Sequence, residues 1–400
     1  MSTPESGENN FALVNSEIPF SEFQCSPIVK KINDCEYRSR IVLLQTIADG
    51  KDNQNIIFVT DDGRVYAFGA NTDGCLGVGH TNPVWDEPVL LDIFNGKKIL
   101  QISSGLLFTI VLCSSKECFS WGNNNLGQLG QSKEPFKINR VLIPDKMTLT
   151  DIFKVADIIS VSVGESFGAL LTSEGDVFTF GSNLCGQLAH NFYPSGDEYS
   201  MYCYDAYRVS ETEFITQVFC GANHLAMLAL NGKMVYLCGD NHWGQLGLSP
   251  KKHQNICRPF HMSFTRRKVL SIACGARHTM FLTFPGLIFA FGSNSHGQLG
   301  SKSIDEDCCH IPRKIEINNL FDQIFTHALS NICMAYTPEE QRIYVWGELS
   351  ITGNGQSGRY DEPLKTYLQS FPKTFALFES KSLMGSFWYN ENFLKGLLIL

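Results

Sequence analysis

Six times along the chain a run of apolar and aromatic residues ends in a glycine. These glycines, Gly69, Gly122, Gly181, Gly239, Gly292 and Gly347, recur at intervals of about 55 residues. The clearest copy is Ile288 to Gly300, Ile-Phe-Ala-Phe-Gly-Ser-Asn-Ser-His-Gly-Gln-Leu-Gly. Its first half alternates at a strand's two-residue period, and its second half is the glycine and asparagine of a tight turn. A second marker lies between the glycines with the same period: Ile102-Ser-Ser-Gly105, Val161-Ser-Val-Gly164, Val218-Phe-Cys-Gly221 and Ile272-Ala-Cys-Gly275. Two out-of-phase markers with one period define a tandem repeat, whose units bury their faces only by stacking on one another.

Each unit has room for four short strands. An apolar pair surrounds the second marker, a turn such as Asp62-Gly63, Glu174-Gly175 or Asn231-Gly232 follows, and the aromatic strand with its partner completes the unit. Four antiparallel strands per unit make a propeller blade, so the fold class is all-β, a β-propeller of four-stranded blades. Trp121, Phe180, Phe291 and Trp346 recur just before the turn glycine and are expected to be buried, so that the stability of the propeller depends on them.

The pairing of Cys-Gly-Ala-Arg-His-Thr-Met-Phe-Leu (Cys274 to Leu282) with Phe-Ala-Phe-Gly-Ser-Asn-Ser-His-Gly-Gln-Leu-Gly (Phe289 to Gly300) resembles the repeat of the regulator of chromosome condensation family. That family is a seven-bladed β-propeller, and the resemblance covers about residues 45 to 350. It implies seven blades here, six from the visible repeats and one composite blade from the two termini, with six blades as the alternative. The stretch from Ile57 to Gly79 and the altered last repeat, Trp346-Gly347 followed late by Gly355-Gln356-Ser357, are similar to the branch in which the propeller precedes a BTB dimerisation domain. No BTB domain is evident after the propeller. The expected division is a disordered tail at 1–10, the propeller at 11–380 and a C-terminal extension at 381–400, from a truncated form or a propeller-only relative.

The formal charge is −8. It opposes a broad electrostatic grip on phosphate backbones, so direct nucleic-acid binding is not expected. The N-terminus has neither a basic nor an apolar signal region, and the 14 cysteines contain no Cys-x-x-Cys pair. Reduced thiols are expected, in the cytoplasm or the nucleus. No apolar run reaches the roughly 20 residues of a membrane span.

Enzyme chemistry finds no foothold in the motifs. Gly353-Asn-Gly355-Gln-Ser-Gly358 spells a dinucleotide fingerprint, but Arg359-Tyr-Asp-Glu-Pro363 follows it, a poor start for the helix that the fingerprint needs. His224 and His278 recur at one repeat position, which suits a structural hydrogen bond within the sheet better than a single active site. Gln128, Gln187, Gln245 and Gln298 also stand in register, each after a glycine, and are expected to satisfy backbone groups of an adjacent blade. No cofactor and no metal are expected.

Function is therefore sought on surface loops. A short helix is expected near Leu149 to Val155. The long connection His190 to Phe214, with Tyr199, Tyr202 and Tyr204, is expected to be a partner-binding loop outside the ring. The basic run Arg266-Arg267-Lys268 is a second docking candidate, though such runs usually serve only solvation. The expected function is a non-enzymatic protein-protein scaffold or adaptor, with ubiquitin-ligase components among its partners. The resemblance implies an alternative, guanine-nucleotide exchange on a small GTPase, the activity of the family's founding member. That founding member is a chromatin protein with a basic N-terminal tail, whereas this chain has no Lys or Arg before Lys30.

Overall fold

The computed structural model describes residues 18–19, 37, 40–49, 55–131, 138–147, 156–190, 201–263, 267–301, 307–337, 339–340, 342–350 and 357–367. The expected tail, C-terminal extension and 149–155 helix, together with Tyr199 and Arg266, lie outside them.

Each repeat forms one sheet, whose strands we call a to d from the central channel outwards. Blade 1 is Ile41–Ile47, Asn55–Thr60, Val65–Gly69 and Val84–Leu90. Blade 2 is Ile99–Ser104, Phe108–Cys113, Cys118–Asn123 and Arg140–Lys146. Blade 3 is Ile158–Val163, Phe167–Thr172, Val177–Ser182 and Tyr202–Arg208. Blade 4 is Ile215–Cys220, His224–Ala229, Met234–Asp240 and Asn255–Met262. Blade 5 is Val269–Cys274, His278–Thr283, Leu287–Ser293 and Cys308–Lys314. Blade 6 is Gln323–Phe325, Ile332–Thr337, Arg342–Ser350 and Ser357–Tyr367.

The described residues thus form six blades, the alternative count, and the seventh is not seen. The termini do share a sheet: Ile18–Pro19 pairs in parallel with the outer strand of blade 6. That pairing adds a fifth strand to an existing blade and covers its edge. Blade 1 is complete without it, because Ile41–Ile47 supplies its inner strand.

A second correction concerns His190 to Phe214. Residues 202–208 are not loop but the outer strand of blade 3, with Tyr202 paired to Ser182. Tyr202 and Tyr204 are half-buried on that strand, and the Tyr204 hydroxyl donates to the Asn125 carbonyl of blade 2 at 3.1 Å. An outer strand is covered on one side only, so its apolar alternation is weak and it passes for a loop in the sequence.

The core lies in the seams between blades. Trp121, Phe180, Phe291 and Trp346 are all fully buried. Each slides beneath the last glycine of the preceding blade's turn: a Cβ on Gly77 would stand 2.7 Å from Trp121, and one on Gly130 2.9 Å from Phe180. The Trp121 indole N–H donates to the Cys75 carbonyl at 2.9 Å, and that of Trp346 to the Gln298 carbonyl at 3.0 Å. The second marker is a close-approach position of another kind. Gly105, Gly164, Gly221 and Gly275 lie against the rings of Phe108, Phe167, His224 and His278, where an added Cβ would come within about 2 Å of the ring.

Because successive strands are antiparallel, the a–b and c–d loops emerge on one face of the ring, here the upper face. The b–c turns and d–a connections emerge on the lower face. At the upper mouth, Ala48, Ala222, Ala328 and Leu329 pack into a small apolar hub. Backbone bonds join neighbouring loops there, Leu107 to Ala48 at 2.8 Å and Glu165 to Ala222 at 2.9 Å.

Candidate protein-docking face

The c–d turns share the upper face with the a–b loops, and the sequence Gly-x-Asn-x-x-Gly-Gln-Leu-Gly shapes those of blades 2, 4 and 5, with Cys75 in place of the glutamine in blade 1 and Ala189 in place of the last glycine in blade 3. The turn glycines Gly122, Gly181, Gly239, Gly292 and Gly347 have φ between 100° and 112°, and Gly69 has φ 142°. A Cβ at Gly122 would stand 2.2 Å from the Leu107 carbonyl oxygen, so a side chain is excluded by both strain and space.

Two side chains lock the turn from within. The Gln Oε1 accepts the amide two residues earlier: Leu126 for Gln128, Cys185 for Gln187, Trp243 for Gln245 and His296 for Gln298, at 2.8 to 3.0 Å. Their amide groups then divide. Gln187 and Gln298 donate to Asn223 and Asn331 of the next blade, whereas Gln128 and Gln245 donate to Asn123 and Asp240 of their own turn. The second lock is an asparagine not singled out in the sequence. Asn71, Asn124, Asn183, Asn241 and Asn294 each accept the amide of the turn's leucine, and Asn241 also donates to the Leu248 and His253 carbonyls. Their register, two residues after the strand glycine, is the signal that could have found them.

This scaffold leaves the position after the strand glycine free to vary, and blades 4 and 6 place acids there, Asp240 and Glu348. Asp240 pairs with His242 and accepts the Gln245 amide at 2.9 Å. Glu348 accepts from Asn331 at 3.2 Å and lies 3.6 Å from His296. Glu165, on the a–b loop of blade 3, accepts from Asn223 at 3.0 Å.

Glu165, Asp240, His242, Trp243 and Arg277 line one pocket of about 590 Å³ that spans the upper ends of blades 3 to 6. The exposed Arg277 guanidinium sits 5.1 Å from the Trp243 ring centre, a cation–π contact. Carboxylates held by amides, beside an arginine held by an indole, form a rigid charged surface. Among the described residues no group of three or more His, Cys, Asp or Glu side chains is arranged to hold a metal ion. No helix among them is long and apolar enough to cross a membrane.

His224 and His278 are not surface residues but part of the seams. His224 Nε2 lies 3.0 Å from Thr279 Oγ1, which donates to the Gln245 carbonyl at 2.7 Å. The expectation of a bond within the sheet is corrected: each histidine bonds to the following blade. Burial pushes their pKa down, to about 4 for His224 and about 3 for His278.

Comparison with known proteins agrees with this architecture. Residues 53–373 match the model of the RCC1-like domain. The chain belongs to the RCC1-like domain family. It is 27% identical to the human E3 ubiquitin-protein ligase HERC2 over 82% of its own length, but spans only 6% of HERC2. It is 28% identical to the ultraviolet-B receptor UVR8 of Arabidopsis thaliana over 69% of this chain and 58% of UVR8. Human WBSCR16 has a similar fold, with TM-score 0.64 and 23% identity over 76% of this chain and 78% of that one. So does Prp20p of Saccharomyces cerevisiae, with TM-score 0.66 and 16% identity over 89% and 93%.

Proposed function

We propose that this RCC1-like propeller is a non-enzymatic interaction module that seats a protein partner on its upper face, with the pocket of Glu165, Asp240, Trp243 and Arg277 as the anchor. The Arg277–Trp243 pair beside two restrained carboxylates carries this reading. Tryptophan and arginine dominate binding hot spots, and side chains already fixed by neighbours lose little further freedom on binding. The partner meets this surface with a basic side chain for the carboxylates and an acidic one for Arg277.

The relatives supply two settings. HERC2 is a ubiquitin ligase, which makes ligase components or their substrates one class of partner, in the cytoplasm or the nucleus. The crystallographic work on Prp20p concerns its binding to Gsp1p and histones, which raises the second reading, nucleotide exchange on a small GTPase. Two assays test both. Affinity purification should recover proteins that Arg277→Glu and Asp240→Asn lose while the melting temperature holds, and unchanged recovery would refute the site. Release of a fluorescent guanine nucleotide from a panel of small GTPases should not accelerate. Acceleration of tenfold, about 1.4 kcal/mol of barrier, would replace the scaffold reading by the exchange one.

A further inference from the structure

The b–c turns on the lower face differ between blades in a way the repeat does not require. The b–c turns of blades 1 to 3 are polar: Asp61-Asp62-Gly63-Arg64, Ser114-Ser115-Lys116-Glu117 and Ser173-Glu174-Gly175-Asp176. Blade 4 instead exposes Leu230, and blade 5 exposes Phe284 at 63% of its surface. The neighbouring d–a connections add Phe214, 53% exposed, and Leu320.

These side chains form one arc. Leu230 N–H donates to the Phe214 carbonyl at 3.3 Å, and Phe284 N–H to the Lys268 carbonyl at 2.9 Å. The Lys268 stem lies beside Gly232 of the Leu230 turn, and Leu320 lies beside Gly286 of the Phe284 turn. Two large aromatics more than half exposed on neighbouring turns are unusual for a surface that faces only water. Lys233 and Lys268, both exposed, stand between Leu230 and Phe284, and neither ammonium is in an ion pair among the described residues.

We propose that this arc is a second docking surface, separate from the upper face, and that it takes an acidic, apolar segment of another protein. Phe214, Leu230, Phe284 and Leu320 receive the apolar side chains, and Lys233 and Lys268 receive carboxylates. In a chain of net charge −8, two unpaired cations inside an apolar arc favour an acidic partner, while the surrounding acidity repels it elsewhere.

The test uses the whole chain and a fluorescein-labelled peptide repeating Leu-Glu-Phe-Asp. Controls repeat Ser-Glu-Ser-Asp, which lacks apolar side chains, and Leu-Lys-Phe-Arg, which reverses the charge. Fluorescence anisotropy should show saturable binding of the first peptide alone. Phe284→Ser and Lys268→Glu, each melting like the parent, should weaken it at least tenfold. The pair Lys233→Glu with Lys268→Glu should gain binding of the Leu-Lys-Phe-Arg peptide. Absence of saturable binding, equal binding of Ser-Glu-Ser-Asp, or indifference to Phe284→Ser would overturn the proposal. So would sedimentation showing a dimer that Phe284→Ser dissociates, since the arc would then belong to a second copy of this chain.

Discussion

His278 of blade 5 places Nε2 3.0 Å from the Sγ of Cys333 in blade 6, and that sulfur lies 3.4 Å from the Gln298 carbonyl. The thiol donates to the carbonyl, which leaves the sulfur to accept from the imidazole Nε2–H, and burial holds the ring in its neutral form. His224 repeats the arrangement one blade earlier with Thr279 in place of the thiol.

These buried neutral rings make the fold acid-sensitive. Their native pKa values lie below the ordinary 6.5, at about 4 for His224 and about 3 for His278, through loss of hydration. Between pH 6.5 and about 4 the unfolded chain binds protons that the native chain does not, so stability is full above 6.5 and falls as pH falls through this window. Phenylalanine already occupies the same position at Phe108 and Phe167. The double variant His224→Phe/His278→Phe should therefore melt with a shallower dependence on pH across this window. An unchanged slope would assign the sensitivity to other groups.

Trp121 shows what the seams contribute. It is fully buried, packs near Phe94 at 6.0 Å between ring centroids and bonds to Cys75 of the preceding blade. Trp121→Ala should cost about 3 to 5 kcal/mol, from lost apolar burial and the cavity left behind. Denaturant titration measures it, and a negligible loss would contradict the burial.

Gly221 is constrained by space alone. It is not among the glycines of positive φ, yet a Cβ there would meet His224 Cε1 at 2.0 Å and the Gly275 carbonyl oxygen at 2.6 Å. Gly221→Ala should destabilise by about 1 to 3 kcal/mol through overpacking. In contrast, Gly63→Ala has open space around its Cβ and a φ of 81°, so its cost should be backbone strain only, about 1 kcal/mol. Equal effects at the two sites would deny the difference in mechanism.

The repeat, its strands and the seam aromatics were legible because each recurs in register, and periodicity survives sequence drift. The upper-face pocket was not. Asp240 and Arg277 occupy positions that hold Ser293 and Asn331 in other blades, and only the ring brings Glu165, Asp240 and Arg277, far apart in the chain, into one pocket. The outer strand of blade 3 was hidden for the opposite reason, since its half-exposed residues carry no clear alternation.

One irregularity in the repeat makes sense only across a seam. Blade 4 carries Cys238 where Trp121, Phe180, Phe291 and Trp346 stand, and the preceding turn ends in Ala189 where the others end in glycine. Both are buried in the same apolar cluster, and the Cys238 thiol lies 3.8 Å from the Gln187 carbonyl, the counterpart of the one that accepts the Trp346 indole. The small thiol thus leaves room for the alanine methyl, which Gly130 and Gly300 could not accommodate beneath Phe180 and Trp346. Cys238→Phe alone should overpack the seam and destabilise by about 1 to 3 kcal/mol. Adding Ala189→Gly removes the methyl and relieves the φ of 60° that alanine adopts there. The double variant should recover most of the loss, giving a coupling of about 1 kcal/mol or more in a double-mutant cycle. Additive effects of the two substitutions would show that the exchange of aromatic for thiol and of glycine for alanine are independent.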